Sequence, residues 1–107
     1  RTVQLASKDL SIPAAETIDI ETWIPSQNTY RETHSISTTT DYQSRRLDIK
    51  YQEGTEKQFV HILNGTACAI GRTLIAILEN YQNEDGSVGV PEVLRPFMGG
   101  LDVIRRS

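Results

Sequence analysis

Apolar and polar side chains recur along this chain in two rhythms, and each rhythm marks its own kind of element. Residues 17–24 alternate: Ile18, Ile20, Thr22 and Ile24 fall on one face and Asp19, Glu21 and Trp23 on the other. A period of two predicts a half-buried strand, closed by Pro25. Residues 1–5 read as another strand, residues 8–15 as a loop or short helical turn, and residues 26–28 as a turn. Residues 29–36 predict a strand of unusual polarity, since it carries Arg31, Glu32, Thr33, His34 and Ser35 in succession. The Ser/Thr run 37–40 reads as a loop, with Thr40 or Asp41 as helix N-cap and a helical turn at 41–46. A hairpin follows, with arms 47–52 and 58–63 around Glu53-Gly54-Thr55. Asn64-Gly65-Thr66 reads as a sharp break. The second rhythm begins there: Ile70, Leu74, Ile77, Leu78 and Tyr81 lie at helical spacing and predict a helix over 67–82. Asp85-Gly86 predicts a turn, 88–90 a short extended piece, and Pro91 a last helical turn through Leu94. Gly99-Gly100 and Arg105-Arg106 read as a tail. Strands, a hairpin and then one long helix make an α+β fold with an antiparallel sheet and a packed helix, not a series of βαβ units.

Composition narrows this picture. With 107 residues the chain is long enough for one small domain, and 37% hydrophobic residues give it a thin core. A thin core suits a piece of a larger domain. The chain opens at Arg1, without Met and already on a strand, which leads us to expect that this end is a cut. Its net charge of −3 excludes a chain that binds nucleic acid by bulk charge. The single cysteine, Cys68, excludes an internal disulfide and a cysteine zinc cluster. No segment reaches the ~18 consecutive apolar residues of a membrane span, and no signal peptide is visible. A cytoplasmic setting is the expectation.

Three constellations could carry chemistry. The first is Asn64-Gly65-Thr66 followed by Gly71-Arg72-Thr73. Thr66 and Gly65 alone read as N-cap and turn. Arg72 is different, because a cation in the first turns of a helix opposes the positive end of the macrodipole. It either projects into solvent or meets an anion, and helix-start N–H groups beside it would suit phosphate. The second is the polar strand, which is either an edge protected by charge or the floor of a polar cleft. Strand alternation puts Glu32 and His34 on one face and Ser35 on the other, so Glu32 and Ser35 could share a metal only at a bulge or strand end. Their oxygens would suit Mg²⁺ and not zinc. The third, Arg45-Arg46 with Asp41, reads as a surface salt bridge. No serine–histidine–aspartate set, P-loop or dinucleotide fingerprint is present.

Taken in order, these segments resemble the seryl-tRNA synthetase family of class II aminoacyl-tRNA synthetases. Ile20-Glu21-Thr22-Trp23-Ile24-Pro25-Ser26-Gln27 resembles its "EVWMPAQ" strand. Tyr30-Arg31-Glu32 with Ser35-Ile36-Ser37 resembles "YREVSSCS", and Thr40-Asp41-Tyr42-Gln43-Ser44-Arg45-Arg46-Leu47 resembles "TDFQARRL". Leu63-Asn64-Gly65-Thr66 resembles "LNGS". The run from Gly71 to Gln82 resembles "GRTLAAILENYQ", the third signature motif in its seryl form, and Pro91 to Met98 resembles "PEVLRPFM". The resemblance covers nearly the whole chain.

It implies a catalytic-domain fold in which an enzyme activates serine with ATP and passes it to tRNA(Ser). Residues 1–107 would be the C-terminal portion of that domain, without the tRNA-binding arm or the first two motifs. By the resemblance, Arg72 is the catalytic arginine on the γ-phosphate of ATP. Glu32, Thr33, His34 and Ser35 are ATP contacts, and Glu32 and Ser35 hold Mg²⁺. Thr66 hydrogen-bonds the serine hydroxyl, with Asn64 alongside. A homodimer is implied for the full-length protein and no membrane partner, while a sheet cut at its edge is expected to self-associate. The arginine on the α-phosphate belongs to the second motif, so the 107-residue chain alone is expected to be inactive. Thr38 stands where the family has Asn, Ile36 and Thr39 where it has Cys, and Lys8 where it has Gly. A synthetase-like paralogue or a non-catalytic binding module built on the same fold is the alternative.

Overall fold

The computed structural model describes residues 1–105, so Arg106, placed in the tail by its sequence, lies outside the described residues. The chain divides into two compact units, residues 1–21 with 32–69 and residues 22–31 with 70 onward.

The first unit is built on strands β1 (Thr2–Gln4), β2 (Glu16–Ile24), β3 (Thr29–Thr38) and, later in the chain, a strand at Leu63–Thr66. β2 and β3 run on into the second unit. Between β3 and the last strand come a short helix α1 (Tyr42–Leu47) and the hairpin β4 (Lys50–Glu53) and β5 (Glu56–Phe59). With Leu63–Thr66 as β6, the sheet order is β1-β2-β3-β6, and β4-β5 form a separate pair. Val3 of β1 lies opposite Asp19, and Ser35, Ile36, Ser37 and Thr38 of β3 lie opposite Thr66, Gly65, Asn64 and Leu63.

Several expectations need correcting here. Ser37 and Thr38 belong to β3 and not to a loop. Asn64-Gly65-Thr66 is a strand and not a break. Gly65 has no positive φ. It allows close approach, because a Cβ there would stand a tight 3.2 Å from the Ser35 carbonyl oxygen. Thr66 is no N-cap, since the helix starts four residues later. The hairpin arms are shorter than predicted: Leu47 ends α1, and Asp48 turns the chain in the left-handed region. Asp41 does precede α1, but its carboxylate takes Arg45 instead of capping the helix.

The β2 alternation is present with its faces exchanged at the start. Thr17 and Asp19 are buried, whereas Ile18 and Ile20 are 40% and 41% exposed. In this unit the buried side chains are polar: Thr17, Asp19, Thr33, Thr39 and Ser44. Several are held by internal bonds, Thr39 Oγ1 to the Ile62 carbonyl at 3.0 Å and Ser44 Oγ to the Asp41 carbonyl at 3.0 Å.

The second unit holds the helix α2 (Ile70–Asn80), shorter at both ends than the predicted 67–82. Its C-terminal half is tied to the β2–β3 turn. Glu79 accepts from the Ser26 N–H and hydroxyl at 2.8 and 2.7 Å, and the Asn80 amide donates to the Trp23 carbonyl at 2.9 Å. Trp23 and Tyr30 pack edge to face with centroids 5.1 Å apart. Ile24, Ala76 and Val90 are the buried apolar residues of this unit. The expected tail instead returns as a strand: β7 (Val88–Gly89) pairs with β8 (Val103–Ile104) after a 3-10 stretch at Glu92–Met98. Gly99 and Gly100, both at positive φ, make that return possible.

Candidate functional site

Two adjacent strands of the first unit carry most of the predicted site. Antiparallel pairing places directly facing residues on the same face, so Ser35 shares a face with Thr66, and Ser37 with Asn64. Ser35, one of the nucleotide candidates of β3, thus stands beside Thr66, a serine candidate of β6, at the distance of neighbouring strands. Asn64 and Thr66 are exposed. A polar strand is tolerated here because its backbone is satisfied on both sides by sheet neighbours, while its side chains are left to do other work.

Thr33 is enclosed, only 1% exposed. Its hydroxyl donates to the Ile20 carbonyl at 3.2 Å and lies 2.9 Å from His34 Nδ1, and its carbonyl accepts the Ala69 N–H at 2.8 Å. Glu32 and His34 on either side are half-buried. A contact between neighbouring side chains in one strand works against strict alternation, which sends them to opposite faces. It lies at the point where alternation must relax for Glu32 and Ser35 to meet one ion.

Arg72 is the third residue of α2, in the second unit, and its residue is exposed. Gly71 before it has open space where a Cβ would be. No group of three or more His, Cys, Asp or Glu suited to a metal exists among the described residues. An oxygen-donor site of one carboxylate with a hydroxyl, the Glu32 and Ser35 set, lies outside that class. Magnesium accepts such a set, because it takes one or two carboxylates and completes its shell with phosphate and water.

The Arg45-Arg46 pair is the salt bridge expected of it. Arg45 Nε lies 2.7 Å from Asp41 Oδ2, and Arg46 sits over the Tyr42 ring at 3.4 Å while donating to the Tyr42 carbonyl. The Arg45 guanidinium, through its hydrogen bond first and its charge second, holds the Asp41 carboxyl below its ordinary range. Asp85 is likewise lowered, chiefly by bonds from the Ser87 hydroxyl and N–H.

One residue escaped the sequence reading. Asp19 is 6% exposed, and its Oδ1 has no hydrogen-bond partner. Its position opposite Ile18 and Ile20 in the alternation gave it the solvent side of β2, so the pattern carried no signal that it would be enclosed.

Comparison with known proteins agrees with this geometry. The family model described as the tRNA synthetase class II core domain (G, H, P, S and T) matches residues 1–81. A serine–tRNA ligase of Psychrobacter arcticus is 54% identical over 104 residues, 97% of this chain and 24% of that protein. The crystal structure of seryl-tRNA synthetase from Pyrococcus horikoshii complexed with ATP superposes with a TM-score of 0.92 at 44% identity, covering 97% of this chain and 24% of that one. A cytoplasmic serine–tRNA ligase from Naegleria fowleri in complex with AMP gives 0.88 at 49% identity, covering 98% and 25%. The chain therefore spans about a quarter of the length of these relatives. The shared core-domain match, the antiparallel sheet and the paired polar strands lead to one conclusion: the chain belongs to the class II tRNA synthetase core-domain family.

Proposed function

We propose that this chain is the C-terminal portion of the catalytic domain of a serine–tRNA ligase, which activates serine with ATP and transfers it to tRNA(Ser). The observation that carries the reading is the β3–β6 register, which sets Ser35 opposite Thr66 and Ser37 opposite Asn64. On this reading, a nucleotide strand and an amino-acid strand meet on one face.

Each residue then has a task that its chemistry suits. The Thr66 hydroxyl, with Asn64 alongside, hydrogen-bonds the serine side chain. A site built to pair a substrate hydroxyl rejects analogues that lack it, because its own polar group is left unmatched. Arg72 offers a fixed fork of donors to the γ-phosphate, at the end of a helix where anions are favoured. Glu32, Thr33, His34 and Ser35 line the nucleotide side. Thr33, with its hydroxyl engaged inside the sheet, acts by fixing the strand. In the reaction the serine carboxylate oxygen attacks the α-phosphorus of ATP, the bond to the bridging oxygen breaks, and pyrophosphate leaves. Mg²⁺, when bound by Glu32 and Ser35, would neutralise phosphate charge. The residues of this chain position serine and the terminal phosphate for that step.

Partners follow from the same reading: L-serine, ATP, tRNA(Ser) and a second copy of the full-length enzyme in a homodimer, in the cytoplasm. No described helix is long and apolar enough to cross a membrane.

The test is amino-acid-dependent ATP–pyrophosphate exchange by the full-length protein, with serine, alanine and threonine compared. Exchange that depends on serine is the expected result. Exchange driven by another amino acid, or none at all from folded full-length protein, overturns the reading.

A further inference from the structure

The polar face of the sheet contains two neighbouring groups of side chains, and they differ. In one, Thr17 of β2 and Ser37 of β3 bond each other, oxygen to oxygen, at 2.7 Å. Two residues along each strand, the next side chains on that face are Asp19 and Ser35. Asp19 lies opposite Val3 of β1, and Ser35 opposite Thr66 of β6. Val3, Asp19, Ser35 and Thr66 therefore share this face across four neighbouring strands. Among them the enclosed Asp19 Oδ1 has no hydrogen-bond partner. Among the described residues, no side-chain hydrogen bond engages Ser35 or Thr66 either.

We infer that Asp19 is a positioning residue of this site: in the loaded state its Oδ1 accepts the Ser35 O–H, so that the Ser35 lone pairs face the ligand. The inference rests on Ser35 being a ligand-facing residue, as proposed above. Two observations and two points of general chemistry support it. Asp19 is buried and lacks a cation partner among the described residues. Its free oxygen is on the same face as Ser35. Residues on one face of adjacent strands hold their Cβ atoms about 4.5–8 Å apart, directly or diagonally, within reach of a carboxylate and a hydroxyl that turn toward each other. A hydroxyl that presents a lone pair to a cation must give its hydrogen elsewhere, and a carboxylate is the strongest neutral-pH acceptor for it. Groups that hold a metal are ordinarily oriented by such outer carboxylates, whose loss weakens metal binding about 10–100-fold.

The test uses the full-length protein with ATP and Mn²⁺ as a paramagnetic stand-in for Mg²⁺, with free Mn²⁺ read by electron paramagnetic resonance. Asp19→Asn and Ser35→Ala should each weaken Mn²⁺ binding roughly tenfold or more. The double variant should be no weaker than Ser35→Ala alone, because Asp19 acts through that hydroxyl. If Asp19→Asn binds Mn²⁺ normally while Ser35→Ala does not, the inference about Asp19 is wrong and the site reading stands. If Ser35→Ala also binds normally, the reading of Ser35 itself fails. Additive losses would mean that Asp19 acts independently, which also overturns the proposal. Should Asp19→Asn not fold, the wild-type crystal structure with ATP and Mn²⁺ decides instead. An Asp19–Ser35 oxygen separation of about 2.5–2.7 Å is expected, and one beyond hydrogen-bond reach refutes it.

Discussion

Thr66 is exposed on β6, opposite Ser35, and has only a hydroxyl and a methyl to offer. Thr66→Val keeps its shape and removes the hydroxyl. An unmatched substrate hydroxyl costs about 1–3 kcal/mol, so kcat/KM for serine in the full-length protein should fall roughly tenfold to a hundredfold. Discrimination against alanine should shrink with it, as measured by exchange with each amino acid. The acidic residues make a separate, pH-dependent prediction. Asp41 is held below its ordinary value of 3.8, first by the Arg45 hydrogen bond. A carboxyl whose folded value is depressed adds stability above the unfolded value and loses it as pH falls through the folded one. Asp41→Asn should therefore lower Tm slightly at neutral pH, and the gap should close as pH falls below 3.8. A gap unchanged by acid would mean that the Asp41–Arg45 pair does not contribute. The Asp41 salt bridge was readable in the sequence from Asp41 beside Arg45-Arg46, whereas its failure to cap the helix was not.

At the scale of elements, the long helix was legible and the two polar strands only partly so. Ile70, Leu74, Ile77 and Leu78 keep helical spacing, and α2 covers them. It starts at 70 and not at 67, and just before it the Ala69 N–H bonds the Thr33 carbonyl. Ser37, Thr38 and Asn64-Gly65-Thr66 carry loop and turn chemistry in their side chains, yet all lie in strands. What holds them there is the ladder between β3 and β6, a long-range pairing that no local propensity reports. A Cβ at Gly65 would stand 3.2 Å from the Ser35 carbonyl, so the two strands would have to part by a few tenths of an ångström to admit one. Gly65→Val should therefore destabilise the fold by about 1–3 kcal/mol, seen as a lowered Tm, and should weaken serine binding by shifting Thr66. A Tm equal to wild type would show that the strands can part to admit a side chain.

Over the whole chain, the α+β class and the antiparallel order were readable from the order of the periods. Which face would be buried was not. Alternation tells that two faces differ, but the enclosed face of unit one carries Thr17, Asp19 and Thr33, while Ile18, Ile20 and Ile36 are 40%, 41% and 51% exposed. On α2, Ile70, Leu74 and Leu78 are exposed as well. Large apolar area left in water, beside open sheet edges at β1 and β6, favours association. The purified 107-residue chain should therefore form dimers or larger species in light scattering as concentration rises. A monomer at high concentration would contradict this. The catalytic assignment is more demanding, since it gives two residues in different elements two different ligands. In serine-dependent ATP–pyrophosphate exchange by the full-length protein, Arg72→Ala should raise KM for ATP about tenfold to a hundredfold, with KM for serine nearly unchanged. Thr66→Val should do the reverse. That crossed pattern is what the account predicts, and an Arg72→Ala enzyme with unaltered KM for ATP would contradict it.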